Sequence, residues 1–242
     1  EPVILFDYDP TRCQTVPKAL LEGFAGYLQA DGYSGYNGVV AEGGLVQVGC
    51  MAHARRKFSE AVKGQGKNPR QGKAHQGLAW IQKLYRIEKQ ARTQQLSPPA
   101  RKAHREQHAA PVLAKMRSWL DASIPNVPPG TLTGKALNYL HNEWPKLIRY
   151  LEDGRLEIDN NLAENAIRPF VIGRKNWLFS DSVQGVKASA NLYSLVESAK
   201  ANGLEPYQYL REVFTALPQA EKVEDIENLL PWAVKKISAA TR

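Results

Sequence analysis

Short apolar runs alternate with helical patterning from residue 3 to residue 58, and this alternation limits the fold more than any other feature of the chain. The run VILFDY at 3–8 is β-branched and apolar, ends at Asp9-Pro10, and reads as a buried strand. In VPKALLEGF at 16–24, Leu20, Leu21 and Phe24 recur at helical spacing, and Gly23 or Gly26 stops the helix. A second strand over 27–30 delivers Asp31 into an Asp-Gly-Tyr turn. A third, LVQVGC at 45–50, runs into a basic helix around His53 to Phe58. Strand, helix, strand and helix joined by short connections predict an α/β core whose ligands gather beyond the strand ends.

After Lys63 the pattern changes. GQGKNPRQGK reads as a loop, residues 75–92 as a helix, Ser97-Pro98-Pro99 as a break, and residues up to Leu120 as a polar helix closed by IPNVPPG. This is a helical insertion. Residues 133–153 resume apolar helical spacing through Leu137, Leu140, Leu147, Ile148 and Leu151. Leu192, Leu195, Val196 and Ala199 form a stripe that stops at Gly203, and Pro206 opens another helix. The organisation expected is therefore a first core part at 1–63, a basic insertion at 64–130, the rest of the core at 131–187 and a helical region at 188–242.

Charge is unevenly spread. The chain carries 32 Lys and Arg against 24 Asp and Glu, a net +8. Sixteen of the cations but only Glu60, Glu88 and Glu106 of the acids fall between Met51 and Arg117, which makes that stretch +13 and the remainder −5. A basic block beside an acidic remainder suits a polyanion surface next to a cation site; a solvated helical face is the plainer alternative. With 43% hydrophobic and 23% charged residues the composition is that of a globular protein. No apolar run approaches the roughly 18 to 20 residues of a membrane span, and no leader pattern opens the chain. Two cysteines, Cys13 and Cys50, cannot frame a disulfide scaffold, so a reducing cytosol is the expected setting, and Glu1 in place of Met points to upstream sequence.

Two acids stand out. Asp31 ends a strand before a glycine turn, either as a held but reachable carboxylate or as a plain turn former. In DNNLAENAIRP, Asp159 caps a helix whose Asn161, Glu164 and Arg168 share a face, while Leu162, Ala163, Ala166 and Ile167 are the apolar residues that pack it on a core. Glu164 either faces a cleft or simply pairs with Arg168. The following run Arg174-Lys175-Asn176-Trp177 combines two cations, an amide and an aromatic, the chemistry that phosphates and exposed bases require. Cys50-x-x-His53 lacks the second ligand pair of a structural zinc site, and Walker, G-x-G-x-x-G and G-x-S-x-G motifs are absent.

The blocks GYLQADGYSGYN, GCMAHARRKF, GRLEIDNNLAENAIRPFVIGRKNWLF and SLVESAKANGLEPYQYLREVFTALP with LLPW resemble, in this order and over nearly the whole chain, transposases of the insertion-sequence-sixty-six family. The resemblance implies a ribonuclease-H-like α/β core, incomplete at its N-terminus, with a helical insertion before the last acid and C-terminal helices. It assigns Asp31 as the second catalytic Asp and Glu164 as the catalytic Glu, both as metal ligands. The family's first Asp lies in an Asp-Glu-Thr motif that this sequence does not contain, and Asp7 and Asp9 align with a later strand. The implied activity is DDE-type strand cleavage and strand transfer at insertion-sequence ends, with this chain as a fragment that is inactive or nearly so by itself. Three carboxylates of this kind hold two Mg²⁺ ions about 3.5 to 4 Å apart, with Mn²⁺ as a substitute, for in-line displacement at phosphorus. Double-stranded DNA would be contacted by Arg55, Arg56, Lys57, Arg168, Arg174, Lys175, Asn176 and Trp177, by a homo-oligomer in the bacterial cytoplasm. A noncatalytic DNA-binding remnant is the rival reading, and a glycosidase pair of Asp31 and Glu164 a distant third.

Overall fold

The computed structural model describes residues 2–41, 43–65, 71–177 and 181–234, and in residues 174–177 the main chain only. The chain forms two compact units, one of residues 12–161 and one that joins the residues up to 11 with those from 162 onward.

In the first unit, α1 (Thr15–Leu20) leads to β1 (Gly26–Gln29), α2 (Asn37–Ala41) and β2 (Leu45–Val48), then to α3 (Met51–Lys63), α4 (Lys73–Thr93), α5 (Pro98–Ser123) and α6 (Leu132–Leu147). The second and third runs read from the sequence are thus strands, and they pair in parallel with Gly26 opposite Leu45 and Gln29 opposite Val48. Leu45 and Val48 are buried, as a strand covered by helices requires. Helices dominate the fold, and among the described residues these two strands are its sheet.

The core lies where α3 to α6 meet. Met51, Ala54, Phe58 and Ala61 repeat every three or four residues and turn one stripe of α3 inward, leaving Arg55 and Arg56 on the exposed side. Ile81 and Leu84 of α4, Leu113, Met116 and Leu120 of α5, and Leu137, Leu140 and Leu147 of α6 complete the cluster. Gly77 in α4 is there for contact. A Cβ at that position would lie 2.5 Å from Cε1 of the fully buried Phe58, so the glycine lets α4 close on α3. The Ser97-Pro98-Pro99 break is the start of α5, where proline suits the first helical turn. Helix α6 stops at Leu147, earlier than its apolar spacing suggests, and residues 149–151 tighten into a 3-10 turn.

The second unit contains α7 (Asn161–Trp177), α8 (Val183–Ala201), α9 (Pro206–Ala216) and α10 (Val223–Glu227). Helix α8 ends as its sequence indicates, with Asn202 followed by Gly203 at φ 76°. Ala199, Tyr209 and Val213 form the small core of this unit, with Leu195, Leu204, Leu210 and Leu229 against it.

Two expectations fail here. The run at 3–8 is not a buried strand: Val3 and Leu5 are 58% and 68% exposed, and residues 2–6 are held by a helix. The Ser198 hydroxyl accepts from the Ile4 N–H at 2.9 Å and donates to the Ile4 carbonyl at 3.0 Å. Ser194 accepts from the Phe6 N–H at 2.8 Å, and the Asn202 amide donates to the Pro2 carbonyl at 2.8 Å. Four residues of helix advance about 6 Å and two of extended chain about 6.6 Å, so a ladder at every fourth position of α8 matches the strand repeat. The second failure is the apolar face of α7. Leu162 is 74% and Ile167 40% exposed, and the inward contact is made by Phe170, which stacks edge-on against Tyr193 at 5.1 Å.

Candidate functional site

Asp31 stands one residue beyond the last β1–β2 contact, in which the Ala30 N–H bonds the Val48 carbonyl at 3.1 Å. Its side chain is exposed, and its Oδ1 accepts from the Tyr33 N–H at 3.2 Å, so it makes the turn and still presents a carboxylate. Helix α6 supplies its surroundings. A Cβ on Gly32 would lie 3.5 Å from the Tyr139 hydroxyl and 3.9 Å from Cδ of Glu143. The Lys57 ammonium sits 4.9 Å from the Tyr139 ring centre. The Tyr139 hydroxyl is pushed up to about 12, first by burial and then by the negative charges of Glu143, Cys50 and Asp31, with Arg56 opposing. Lys57 and the Asp31-Gly32 turn thus lie against one tyrosine. Tyr139 and Glu143 were not singled out in the sequence; their one signal is i,i+4 spacing beside the apolar Leu140 and Trp144.

Arg55 follows a second path. Its guanidinium lies 5.6 Å from the Tyr85 ring centre, and the Tyr85 hydroxyl donates to Asp159 Oδ2 at 2.7 Å. Burial and Asp159 both raise the Tyr85 hydroxyl far above its ordinary value. Asp159 Oδ1 accepts from the Asn161 N–H at 3.1 Å, at the root of α7. Tyr85 packs against the core, as Trp80 also does, while its hydroxyl holds an acid.

On α7, Glu164 is half-buried and Arg168 exposed. The side chains of Arg174, Lys175, Asn176 and Trp177 lie outside the described residues. Asp31 belongs to the first unit and Glu164 to the second. Asp7 and Asp9 are exposed and serve local turns: Asp7 accepts from the Tyr8 N–H at 2.8 Å, and Asp9 accepts from the Thr11 N–H at 2.7 Å and its hydroxyl at 2.8 Å, which holds the Asp9 carboxyl below its usual range. Cys50 is buried, its thiol pushed up by burial, with Sγ accepting from the Asn160 N–H at 3.4 Å. Among the described residues no group of three or more His, Cys, Asp or Glu side chains is arranged to hold a metal ion. As carboxylates, Asp31 and Glu164 are the hard oxygen donors that Mg²⁺ takes.

A family model described as Transposase IS66 family matches residues 1–188. The chain belongs to the IS66 transposase family. A second model, the IS66 C-terminal element, matches residues 194–232. Two relatives from Sinorhizobium fredii (strain NBRC 101917 / NGR234) are the uncharacterized proteins y4jD, 32% identical over 238 residues, and y4qI, 31% identical over 242. These matches cover 96% and 97% of this chain but 45% and 44% of the relatives, so the IS66-family chain spans less than half their length. No solved structure matches it. Its C-terminal element supplies Ser194, Ser198 and Asn202, the side chains that bond residues 2–6, so the two family segments interlock within one unit. No helix among the described residues is long and apolar enough to cross a membrane.

Proposed function

We propose that the whole protein is a DDE-type DNA transposase in which Asp31 and Glu164 are two of the metal-holding carboxylates of a ribonuclease-H-like core. Membership of the transposase family carries this reading, and the place of Asp31 beyond the carboxyl end of β1, in a parallel pair, supports it. Mg²⁺, when bound, activates an attacking oxygen and stabilises the leaving one at the scissile phosphate. Asp31 offers a carboxylate whose Oδ1 accepts from the Tyr33 N–H, and Lys57 is held over Tyr139. Arg55, Arg56, Lys57, Arg168, Arg174 and Lys175 neutralise backbone phosphates, while Asn176 and Trp177 engage bases at the cleaved end. The partner is double-stranded DNA, bound by an oligomer in the cytoplasm. The first Asp of the triad has no counterpart motif in these residues.

A Mn²⁺ titration followed by electron paramagnetic resonance tests the metal site without requiring turnover. Asp31→Asn and Glu164→Gln should each weaken Mn²⁺ binding by at least about tenfold, while nicking of element-end DNA by this chain stays near background. Robust nicking abolished by Asp7→Ala would move the first acid to Asp7. The rival reading, a noncatalytic DNA-binding remnant, is favoured by the exposed Arg55 and Arg56 on a stretch of +13. It gains if DNA binding survives Glu164→Gln and neither carboxylate affects Mn²⁺.

A further inference from the structure

Arg105 is a fully buried cation in α5 that neither phosphate nor solvent reaches. Its Nε and Nη2 form a fork on Glu88 Oε1 and Oε2 at 2.9 and 2.8 Å. Nη1 donates to the carbonyls of Tyr150 at 2.7 Å and Asp153 at 3.1 Å, and Nη2 donates to that of Leu156 at 2.8 Å. The guanidinium also lies 5.0 Å from the Tyr150 ring centre. All five N–H donors of an arginine are thereby used, two on an acid and three on the main chain of a single loop. A buried ion pair alone is weak evidence for stability, since an apolar pair of similar volume often serves as well. Three carbonyls of one loop converging on a rigid fork are evidence for geometry instead.

The same loop is tied along its length. Gly154 lies so close to α5 that a Cβ there would fall 1.8 Å from the Pro98 carbonyl oxygen. Arg101 holds Glu157 Oε1 at 2.8 Å, the Gln29 amide donates to the Glu157 carbonyl at 2.7 Å, and the Met51 N–H bonds the Ile158 carbonyl at 3.0 Å. Tyr85 then holds Asp159, after which α7 begins and Glu164 follows five positions on.

We infer that Arg105 is a positioning residue: by pinning the main chain at Tyr150, Asp153 and Leu156 it fixes the path to Asp159 and the root of the helix that carries Glu164. The functional half of this inference rests on the reading of Glu164 as a metal ligand. The helices α4 and α5 then act as an internal scaffold for the approach to the last acid, in addition to any contact with DNA.

The test uses the whole 242-residue chain with Arg105→Lys, which keeps the charge but cannot reach Glu88 and three carbonyls together, and Glu88→Gln, which keeps the shape and leaves the carbonyl contacts in place. Amide hydrogen exchange over residues 150–161 and Mn²⁺ affinity are read for each, together with the thermal midpoint. Arg105→Lys should raise exchange over that loop by at least about tenfold and weaken Mn²⁺ binding by about tenfold, the usual reach of a supporting residue. Glu88→Gln should lower the midpoint while leaving both other readouts within about twofold of wild type. Should Arg105→Lys fail to fold, the double variant Arg105→Met with Glu88→Leu fills the site with apolar volume and should show the same loosened loop and weakened Mn²⁺ binding. Wild-type loop protection and Mn²⁺ affinity in either folded variant, or equal losses in Glu88→Gln, would overturn the inference and leave the pair as packing. Absence of any Mn²⁺ site in the wild type would sink the reading of Asp31 and Glu164 as metal ligands instead, and the exchange data would still decide the pinning.

Discussion

Tyr139 shows how much of a residue's surroundings its local sequence pattern leaves out. In its helical pattern it looks like one more half-buried aromatic, and only the approach of α6 to the end of β1 makes it the neighbour of Asp31. Asp31 itself was legible because a strand followed by Asp-Gly is a local signal, whereas its tyrosine partner comes from about a hundred positions away. Burial keeps Tyr139 neutral in the folded chain, with its hydroxyl near 12 against an ordinary 10. Its contribution to stability is therefore complete below pH 10 and lost as pH rises from there toward 12. Thermal midpoints should fall between pH 9 and pH 11.5, and Tyr139→Phe should flatten part of that fall, with Tyr209, also raised to about 12, retaining a share. Gly77 gives a second test. Alanine usually gains up to about 1 kcal/mol over glycine inside a helix, but here its methyl meets the ring of Phe58, so Gly77→Ala should instead cost about 1 to 3 kcal/mol in denaturant unfolding.

At the scale of elements, the periodicities were right more often than the partners assigned to them. In the sequence, residues 3–8 read as a wholly buried strand, whereas exposed and half-buried positions alternate along them, as they do on an extended chain with one side covered. Backbone pairing between strands is the usual way to satisfy such a segment, and nothing local to VILFDY signals that serines on a distant helix perform that task instead. Ser198→Ala removes both bonds to Ile4 and leaves its N–H and carbonyl without that partner, so it should destabilise the C-terminal helices by about 1 to 3 kcal/mol, read as faster amide exchange in α8 and α9. The helical spacing of α7 was equally clear, but an apolar pattern identifies a face without identifying its cover, which is why Leu162 and Ile167 were misassigned. The loop between α6 and α7 offers a sharper case. Gly154→Ala would drive a methyl into the Pro98 carbonyl, and a loss of more than about 2 kcal/mol is expected, with exchange rising first in residues 150–156.

Over the whole molecule, charge was the most legible property and also the easiest to overcount. Arg105 and Glu88 cancel within the +13 stretch and are already counted there, but Arg101 is paired with Glu157 and Arg117 with Asp121, acids that lie outside it, so the field available to a polyanion is smaller than that count implies. Arg55 and Arg56 of α3 are exposed to solvent. Replacing Arg55 and Arg56 together with alanine should lower the slope of log DNA affinity against log salt by about 2, measured by fluorescence anisotropy between low and moderate salt. The mixed α/β character was readable from alternating runs, but the preponderance of helix was not, because one of the three apolar runs found a helix to lie on. That arrangement also bears on synthesis. Residues 2–6 find their partners 188 to 200 positions later, so at roughly 5 to 20 residues per second a ribosome leaves them unclasped for roughly 10 to 40 seconds. A product terminated before α8 would leave Ile4 and Phe6 without their serine partners, an extended segment open to proteolytic nicking.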